Sequence, residues 1–166
     1  MDIRPERNGD EDAIHALTQR AFSMVPYADG NEQDIIDKLR EAGALFLSLV
    51  AEQDGVVVGQ VTFSPVTVGE TSENWFGLGP IAVNPDYQKQ GIGAALVKDG
   101  LKRLQALSAH GCVVIGDPGF YSRFGFFADG SVTFGELEAQ FVQKMVLNGP
   151  DVAGEVIYPP AFYPAT

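Results

Sequence analysis

The spacing of apolar residues divides the chain into short strands and amphipathic helices that alternate. Apolar residues recur at helical spacing in three segments, which predicts helices at 10–22, 31–41 and 91–107. Alternating or continuous apolar runs predict strands at 3–5, 45–53, 56–68, 75–83, 112–116, 141–147 and 154–158. Asp54-Gly55 separates two of these runs and predicts a hairpin turn. A short helix is expected after residue 116, and the resulting order of elements indicates a mixed α/β fold. The Gly and Pro residues are evenly spread, which favours one domain over 1–166.

The strand predicted at 75–83 is unusual because it contains Gly77, Gly79 and Pro80. Proline removes a backbone donor from the ladder, and glycine permits another backbone or a ligand to come close. These residues predict a bulge or a splayed strand edge at this position.

Bulk composition excludes several classes of protein. A length of 166 residues with 45% hydrophobic residues is enough for one sizeable core. The longest apolar run is too short to cross a bilayer, and the N-terminus has no apolar signal segment. The single cysteine, Cys112, rules out an internal disulfide and is expected to be a buried strand residue. We therefore expect a cytoplasmic protein that is a monomer or a homodimer and has no membrane partner. The two histidines lie in separate segments, so no metal site is predicted.

The formal net charge of −11 argues against a nucleic-acid-binding surface. This charge is unevenly distributed: residues 1–54 carry −7, residues 55–110 are neutral and residues 111–166 carry −4. The neutral part could accept an anionic ligand without strong repulsion. The acidic remainder suits a cationic substrate such as an amine, and equally well serves solubility alone.

The segment Gln88-Lys89-Gln90-Gly91-Ile92-Gly93 lies between an apolar strand and a helix, where glycines and a helix N-terminus bind anions. A Walker A loop is excluded because Ala94-Ala95 follows Gly93 where Lys-Ser/Thr is needed. A dinucleotide loop is disfavoured because Leu96 replaces the small third residue and no acidic residue lies about 20 residues further on. The remaining pattern is Ile-Ala-Val-x-Pro at 81–85 followed by Gln-x-x-Gly-x-Gly at 88–93.

This last pattern resembles the acetyl-CoA pyrophosphate loop of the GNAT superfamily of N-acetyltransferases. A second motif, Tyr-x-x-x-Gly-Phe at 121–126, resembles the element that follows the fifth strand of that family. The chain is most similar to a bacterial subgroup of predicted N-acetyltransferases. The resemblance implies the GNAT acyl-CoA N-acyltransferase fold, with a central, mostly antiparallel mixed sheet of about seven strands and flanking helices.

The resemblance also implies transfer of an acetyl group from acetyl-CoA to a primary amine by direct attack. The pyrophosphate is then expected to bind backbone N–H groups from Gln88, Lys89, Gln90, Gly91, Ile92, Gly93 and Ala94. The pantetheine arm is expected to pair with the strand edge at Ile81, Ala82 and Val83. The family often has Arg where this chain has Gln88, and Lys89 could supply the missing charge.

For catalysis, the resemblance assigns Tyr121 as the general acid that protonates the leaving thiolate, although this side chain could instead simply pack among the neighbouring phenylalanines. The general base stays open among Asp117, Glu73, Glu32 and water. Asp117 has the best position in the sequence, beside Tyr121, but is equally suited to a turn before Pro118. The acceptor amine, small or protein-bound, is also undetermined, and the segment 22–31 is expected to shape its pocket.

Two alternatives keep the same fold. One is an acyl-CoA-binding sensor or interaction module without catalysis, and the other is a transferase of a longer acyl group.

Overall fold

The computed structural model describes residues 1–26, 28–70 and 72–164. The eight strands are β1 (Asp2–Pro5), β2 (Leu47–Gln53), β3 (Val56–Val68), β4 (Trp75–Val83), β5 (Gly111–Ile115), β6 (Val132–Thr133), β7 (Val142–Val146) and β8 (Gly154–Ile157). The helices are α1 (Glu11–Ser23), α2 (Glu32–Glu41), α3 (Ile92–Ala106) and the short α4 (Pro118–Tyr121). Short 3₁₀ turns occupy Pro85–Tyr87, Ser122–Phe124, Ala139–Phe141 and Pro160–Phe162. Within the described ranges no helix combines the length and apolarity of a membrane span.

The main sheet has the strand order β1-β2-β3-β4-β5-β7. All neighbours in this path are antiparallel except β4 and β5, which are parallel. Strand β8 pairs with the end of β3 and with β6. The expected mostly antiparallel mixed sheet is thus confirmed, with one more strand than expected. The extra strand, β6, has two residues, which is too short to produce a periodic pattern in the sequence.

Helix α3 packs on one face of the sheet and forms the largest apolar cluster. Its residues Leu96 and Leu104 are fully buried in one cluster with Val61 and Phe63 of β3. Gly100 lies directly under the ring of Phe63, so that any side chain at this position would collide with the ring. The helix predicted at 91–107 is thus confirmed, and it extends from Ile92 to Ala106.

Helices α1 and α2 cover the opposite face of β3. Val50 of β2 pairs with Gln60 of β3 and packs against residues of both helices. The polar residues of β3 on this face, Gln60, Thr62 and Ser64, are completely buried. The hydroxyl of Thr62 donates to Gln60 Oε1 at 3.0 Å, and Gln60 Nε2 donates to the Pro80 carbonyl at 3.3 Å. The period-two alternation of β3 is therefore present, but both of its faces lie inside the protein.

The sheet opens in the middle of β4. The β3–β4 register changes from Val61 opposite Ile81 to Phe63 opposite Leu78, which leaves Gly79 and Pro80 as a bulge. Pairing between β4 and β5 also ends at Leu78. The predicted bulge and splayed edge are both confirmed, and the splay lies at Gly79–Pro80, where the peptide bond is cis.

A mostly buried ion-pair group fixes the start of α1 to the edge of the sheet. The guanidinium of Arg4 in β1 donates to Glu52 Oε2 and to Asp10 Oδ2, each at 2.7 Å. Asp10 also accepts the Arg7 backbone N–H at 2.9 Å. The hydrogen bond from Arg4 lowers the pKa of the Asp10 carboxyl below its usual range. The orientation of α1 therefore depends on charged residues as well as on apolar contacts.

Candidate active site

A cavity of about 620 Å³ opens at the N-terminus of α3. Nine of the ten residues predicted to contact a coenzyme line it, namely Ile81, Ala82, Val83, Gln88, Lys89, Gly91, Ile92, Gly93 and Ala94. Gln90 is exposed and does not line the cavity. Tyr87, Phe120 and Arg123, which the sequence did not point to, complete the lining.

The loop before α3 has the backbone shape that an anion-binding site needs. The side chain of Asn84 accepts the Asp86 N–H at 2.9 Å and starts the 3₁₀ turn that ends β4. Lys89 and Gly91 then adopt left-handed conformations with φ of 64° and 81°. Helix α3 begins at Ile92, and the first N–H groups of any helix have no partner within the helix. These donors, together with the positive end of the helix dipole, favour an anion in the cavity.

One of the charged groups that line the cavity was not predicted. The side-chain amide of Gln88 donates to the Val83 carbonyl at 3.2 Å, so it holds the loop against the end of β4. The cations that line the cavity are Lys89 and Arg123. The guanidinium of Arg123 lies 4.8 Å from the ring centre of Phe120. Arg123 could have been suspected, because it is the one basic residue inside the motif at 121–126.

A second, shallower depression adjoins the first at Arg123. It has a volume of about 370 Å³, and Lys98 and Lys102 of α3 also line it. The two lysines are four residues apart and therefore lie on the same face of the helix. A positively charged surface thus continues from the cavity along α3, although the whole chain is strongly acidic.

The end of β4 presents a free edge to the large cavity. Ile81 and Val83 pair with β3 on one side of the strand. On the other side, the pairing with β5 has already ended at Leu78. An extended ligand with amide groups could pair with this edge as an additional strand.

Tyr121 lies at the end of α4 with only 8% of its surface exposed. Its ring makes edge-on contacts with Phe120 at 4.9 Å and Phe126 at 5.9 Å between ring centres. A side chain on Gly116 would collide with this ring, so glycine at that position permits the contact. Burial raises the pKa of Tyr121 to about 12. The tyrosine therefore stays protonated in neutral solution and is a weaker acid than free tyrosine.

The three carboxylates that the sequence offered as bases lie in different places. Asp117 is exposed, and its Oδ1 accepts the Gly119 N–H at 2.9 Å, which caps α4. Glu73 lines a separate cavity of about 280 Å³ next to Trp75, at the start of β4 and apart from the splay. Glu32 lines a cleft whose wall includes Gly79 and Pro80.

This cleft, with a volume of about 260 Å³, lies at the splay between β4 and β5. We call it the acceptor cleft, after the role that we propose for it. It is lined by Phe22, Asp29, Glu32, Ile35, Leu78, Gly79, Pro80, Ile115, Phe134, Tyr158 and Phe162. Phe22 and Asp29 belong to the segment 22–31 that was expected to shape a substrate pocket, and Tyr27 of this segment lies outside the described residues. Pro80 lines the acceptor cleft and Ile81 lines the large cavity, so the two spaces meet at consecutive residues of β4.

Two other candidate groups lie apart from these spaces. Cys112 is fully buried, as expected, and burial raises the pKa of its thiol far above the usual range. His15, Asp34 and Asp37 come together on the surface of α1 and α2, where His15 Nδ1 lies 2.7 Å from Asp37 Oδ2. Arg40 also contacts Asp37, at 3.3 Å. None of these five residues lines the large cavity or the acceptor cleft.

Comparison with known proteins relates this arrangement to a family. The sequence profile of the acetyltransferase (GNAT) family matches residues 11–126. The chain is 42% identical over 127 residues to YhbS of Escherichia coli strain K12, named as an uncharacterized N-acetyltransferase, and this match covers 76% of the chain and 73% of YhbS.

Solved structures agree with the sequence comparison. A crystal structure of a GNAT family acetyltransferase from Brucella melitensis in complex with acetyl-CoA is similar with a TM-score of 0.87 and 44% identity, over 98% of this chain and 97% of that one. The structure of Escherichia coli YhbS in complex with CoA has a TM-score of 0.87 and 35% identity, over 97% of this chain and 91% of that one. The splayed sheet, the loop before α3 and these similarities lead to one conclusion: the chain belongs to the GNAT family of acetyltransferases.

Proposed function

We propose that the protein is an N-acetyltransferase that transfers the acetyl group of acetyl-CoA to a primary amine. The observation that carries this proposal is the meeting of two cavities at the splay of β4. One cavity has the shape and charge for a coenzyme at the N-terminus of α3, and the other lies beyond the splay with carboxylates on its wall. Complexes of the two similar proteins with acetyl-CoA and CoA support the choice of coenzyme.

In the proposed complex, the pyrophosphate binds the N–H groups of the loop and the first turn of α3, from Gln88 to Ala94. Arg123 and Lys89 supply charge, and Lys98 and Lys102 extend the positive surface for the remaining phosphate. The pantetheine arm pairs with the free edge of β4 from Ile81 to Val83. This path directs the thioester towards Gly79 and Pro80.

At the splay, a neutral amine attacks the thioester carbonyl, so that a C–N bond forms and the C–S bond breaks. The substrate ammonium loses one proton before the attack, and the nitrogen loses a second proton afterwards. The coenzyme sulfur receives one proton, for which Tyr121 is our candidate donor. Since the pKa of Tyr121 is raised to about 12, this residue acts mainly by hydrogen bonding to the sulfur as negative charge develops there. A backbone N–H between Gly79 and Ile81, other than at Pro80, is the candidate donor to the carbonyl oxygen.

Calorimetric titration of the purified protein with acetyl-CoA tests this function, with NAD and ATP as control ligands. We expect acetyl-CoA to bind with micromolar affinity and neither control ligand to bind. In the presence of a panel of amines, we expect the release of free CoA thiol. Binding without release of thiol on any amine would replace the proposal by a non-catalytic acyl-CoA-binding protein. Faster reaction with succinyl-CoA than with acetyl-CoA would replace it by a transferase of a longer acyl group.

A further inference from the structure

The acceptor cleft has a wall of packed aromatic rings. The ring of Phe134 meets Tyr158 edge-on with 5.4 Å between ring centres, and Tyr158 lies 4.8 Å from Phe162. Tyr158 is held tightly, because its ring occupies the space that a side chain on Gly77 would need. Burial raises the pKa of Tyr158 far above its usual range, so this wall stays uncharged. A flat apolar group can stack on such a wall, and burial of apolar surface would stabilise it there.

The rest of the cleft lining is also apolar, apart from two carboxylates. Ile35, Leu78 and Ile115 contribute aliphatic side chains. Asp29 is exposed, whereas Glu32 is half-buried at the start of α2, where its Oε1 accepts the Gly30 N–H at 3.1 Å. None of the described residues that line the cleft is basic. A positively charged group is therefore attracted to the cleft, and a substrate carboxylate is repelled.

The cleft has room for one ring. An apolar protein cavity of about 150 Å³ holds one benzene molecule. A volume of about 260 Å³ is therefore enough for one ring with a short arm. A long polyamine offers less apolar surface than such a ring for burial against the aromatic wall.

We propose that the acceptor is a monoamine in which a short alkyl arm carries a single aromatic ring or an equally compact apolar body, without a carboxylate. The ring stacks on Phe134 and Phe162, Asp29 attracts the ammonium, and Glu32 takes its first proton at the splay. This assignment rests on the proposed acetyl transfer and narrows it. Of the three carboxylates considered as base, Glu32 is the one that shares a wall with Gly79 and Pro80.

The first experiment measures acetyl transfer at saturating acetyl-CoA with matched amines. The set is 2-phenylethylamine, ethylamine (which lacks the ring), phenylalanine (which adds a carboxylate) and spermidine. We expect kcat/KM for 2-phenylethylamine to exceed that for each of the other three by at least tenfold. A preference for spermidine, phenylalanine or ethylamine would overturn the inference and leave the acetyltransferase function intact.

The second experiment compares variants of the cleft. Phe134→Ala and Phe162→Ala should each raise KM for 2-phenylethylamine about tenfold with little change for ethylamine. Both side chains are half-buried, so at least one variant is expected to fold. Glu32→Gln should lower kcat and remove the acidic limb of its pH profile. Glu73→Gln, in the separate cavity, is the matched control and should leave both unchanged. An unaltered pH profile in Glu32→Gln would exclude Glu32 as the base.

A direct binding measurement separates failure of this inference from failure of the proposed function. Calorimetric titration of the protein–CoA complex with 2-phenylethylamine requires no turnover. If 2-phenylethylamine binds, and both Phe134→Ala and Phe162→Ala weaken this binding, the cleft assignment is supported. If no amine is acetylated at the same time, the acetyltransferase function is refuted. Turnover of other amines without binding of 2-phenylethylamine would refute the cleft assignment alone. Absence of both binding and turnover would refute both.

Discussion

Gly93 allows the proposed coenzyme loop to be tested with two substitutions that differ by one charge. This glycine is the second residue of α3 and lines the large cavity. A β-carbon added there would lie 3.7 Å from Val83 Cγ2 and 3.9 Å from Phe120 Cζ, which is ordinary contact. Alanine and aspartate therefore fit the protein without coenzyme, and the comparison separates loss of binding from loss of the fold.

The effects can be estimated separately. Replacing a helical glycine by alanine stabilises a helix by about 0.5–1 kcal/mol, and an aspartate in the first turn is favoured by the helix dipole. Neither Gly93→Ala nor Gly93→Asp should therefore unfold more easily than the wild type. For binding, a carboxylate about 5 Å from one phosphate charge at an effective dielectric constant of about 20 costs about 3 kcal/mol. The aspartate variant should consequently lose at least 100-fold in affinity, and the alanine variant about tenfold through the added methyl group.

Calorimetry with acetyl-CoA measures these affinities, and thermal unfolding without ligand measures stability. Ala13→Glu is the matched control, because it adds one negative charge at an exposed position of α1, which covers the opposite face of the sheet from α3. Ala13 lines neither the large cavity nor the depression beside Lys98 and Lys102. The control should bind like the wild type. If Gly93→Asp is folded and its Kd for acetyl-CoA is within threefold of the wild-type value, the pyrophosphate does not bind at this loop.

Three further predictions concern catalysis and stability. Tyr121→Phe should lower kcat at least tenfold while the calorimetric Kd for acetyl-CoA changes less than twofold, and a fully active variant would remove this residue as the proton donor. Gly100→Ala should reduce the free energy of unfolding by about 1–3 kcal/mol, because its methyl group overlaps the ring of Phe63, and an unchanged denaturant midpoint would contradict that packing. Asp10→Asn should cost about 2 kcal/mol at pH 7, because the charge of Arg4 loses a mostly buried partner. Since the pKa of Asp10 is lowered in the folded state, its stabilising effect is complete above about pH 4 and is lost as the pH falls through the lowered pKa. Denaturant titrations should therefore show that the stabilities of the wild type and this variant converge in acid.

The order of the main elements could be predicted because each produces a local pattern. The apolar run of β4 is interrupted by Gly79 and Pro80, and this combination predicted the bulge that the register shift reveals. The hairpin turn at Asp54-Gly55 lies between β2 and β3 as expected. Strand β6 could not be predicted, since its two residues depend on pairing with β8, which is distant in sequence.

The candidate site was predictable to different degrees on its two sides. The coenzyme side is built from one continuous segment of sequence, so a motif at 81–94 identifies nearly all of its lining. The acceptor cleft is built from α1, α2, β4, β5 and the C-terminal segment, and no local pattern connects Phe22 with Phe134 or Phe162. The carboxylate that lines the acceptor cleft could not be chosen from the sequence for the same reason. Asp117 is near Tyr121 along the chain but caps α4, whereas Glu32 lines this cleft from a distant helix.

Strand β4 supplies residues to both spaces, so the two proposed ligands would contact consecutive parts of one strand. An acceptor in the cleft would contact Gly79 and Pro80, and a coenzyme would contact the next residues, Ile81 to Val83. If occupation of one space changes the affinity of the other by some factor, the reverse effect has the same factor. In that case, the amine affinity measured without coenzyme would differ by this factor from the affinity that applies during turnover. The coenzyme affinity measured without amine would differ from its turnover value by the same factor. A complete cycle of four dissociation constants, rather than either binary titration, would describe how this strand connects its two ligands.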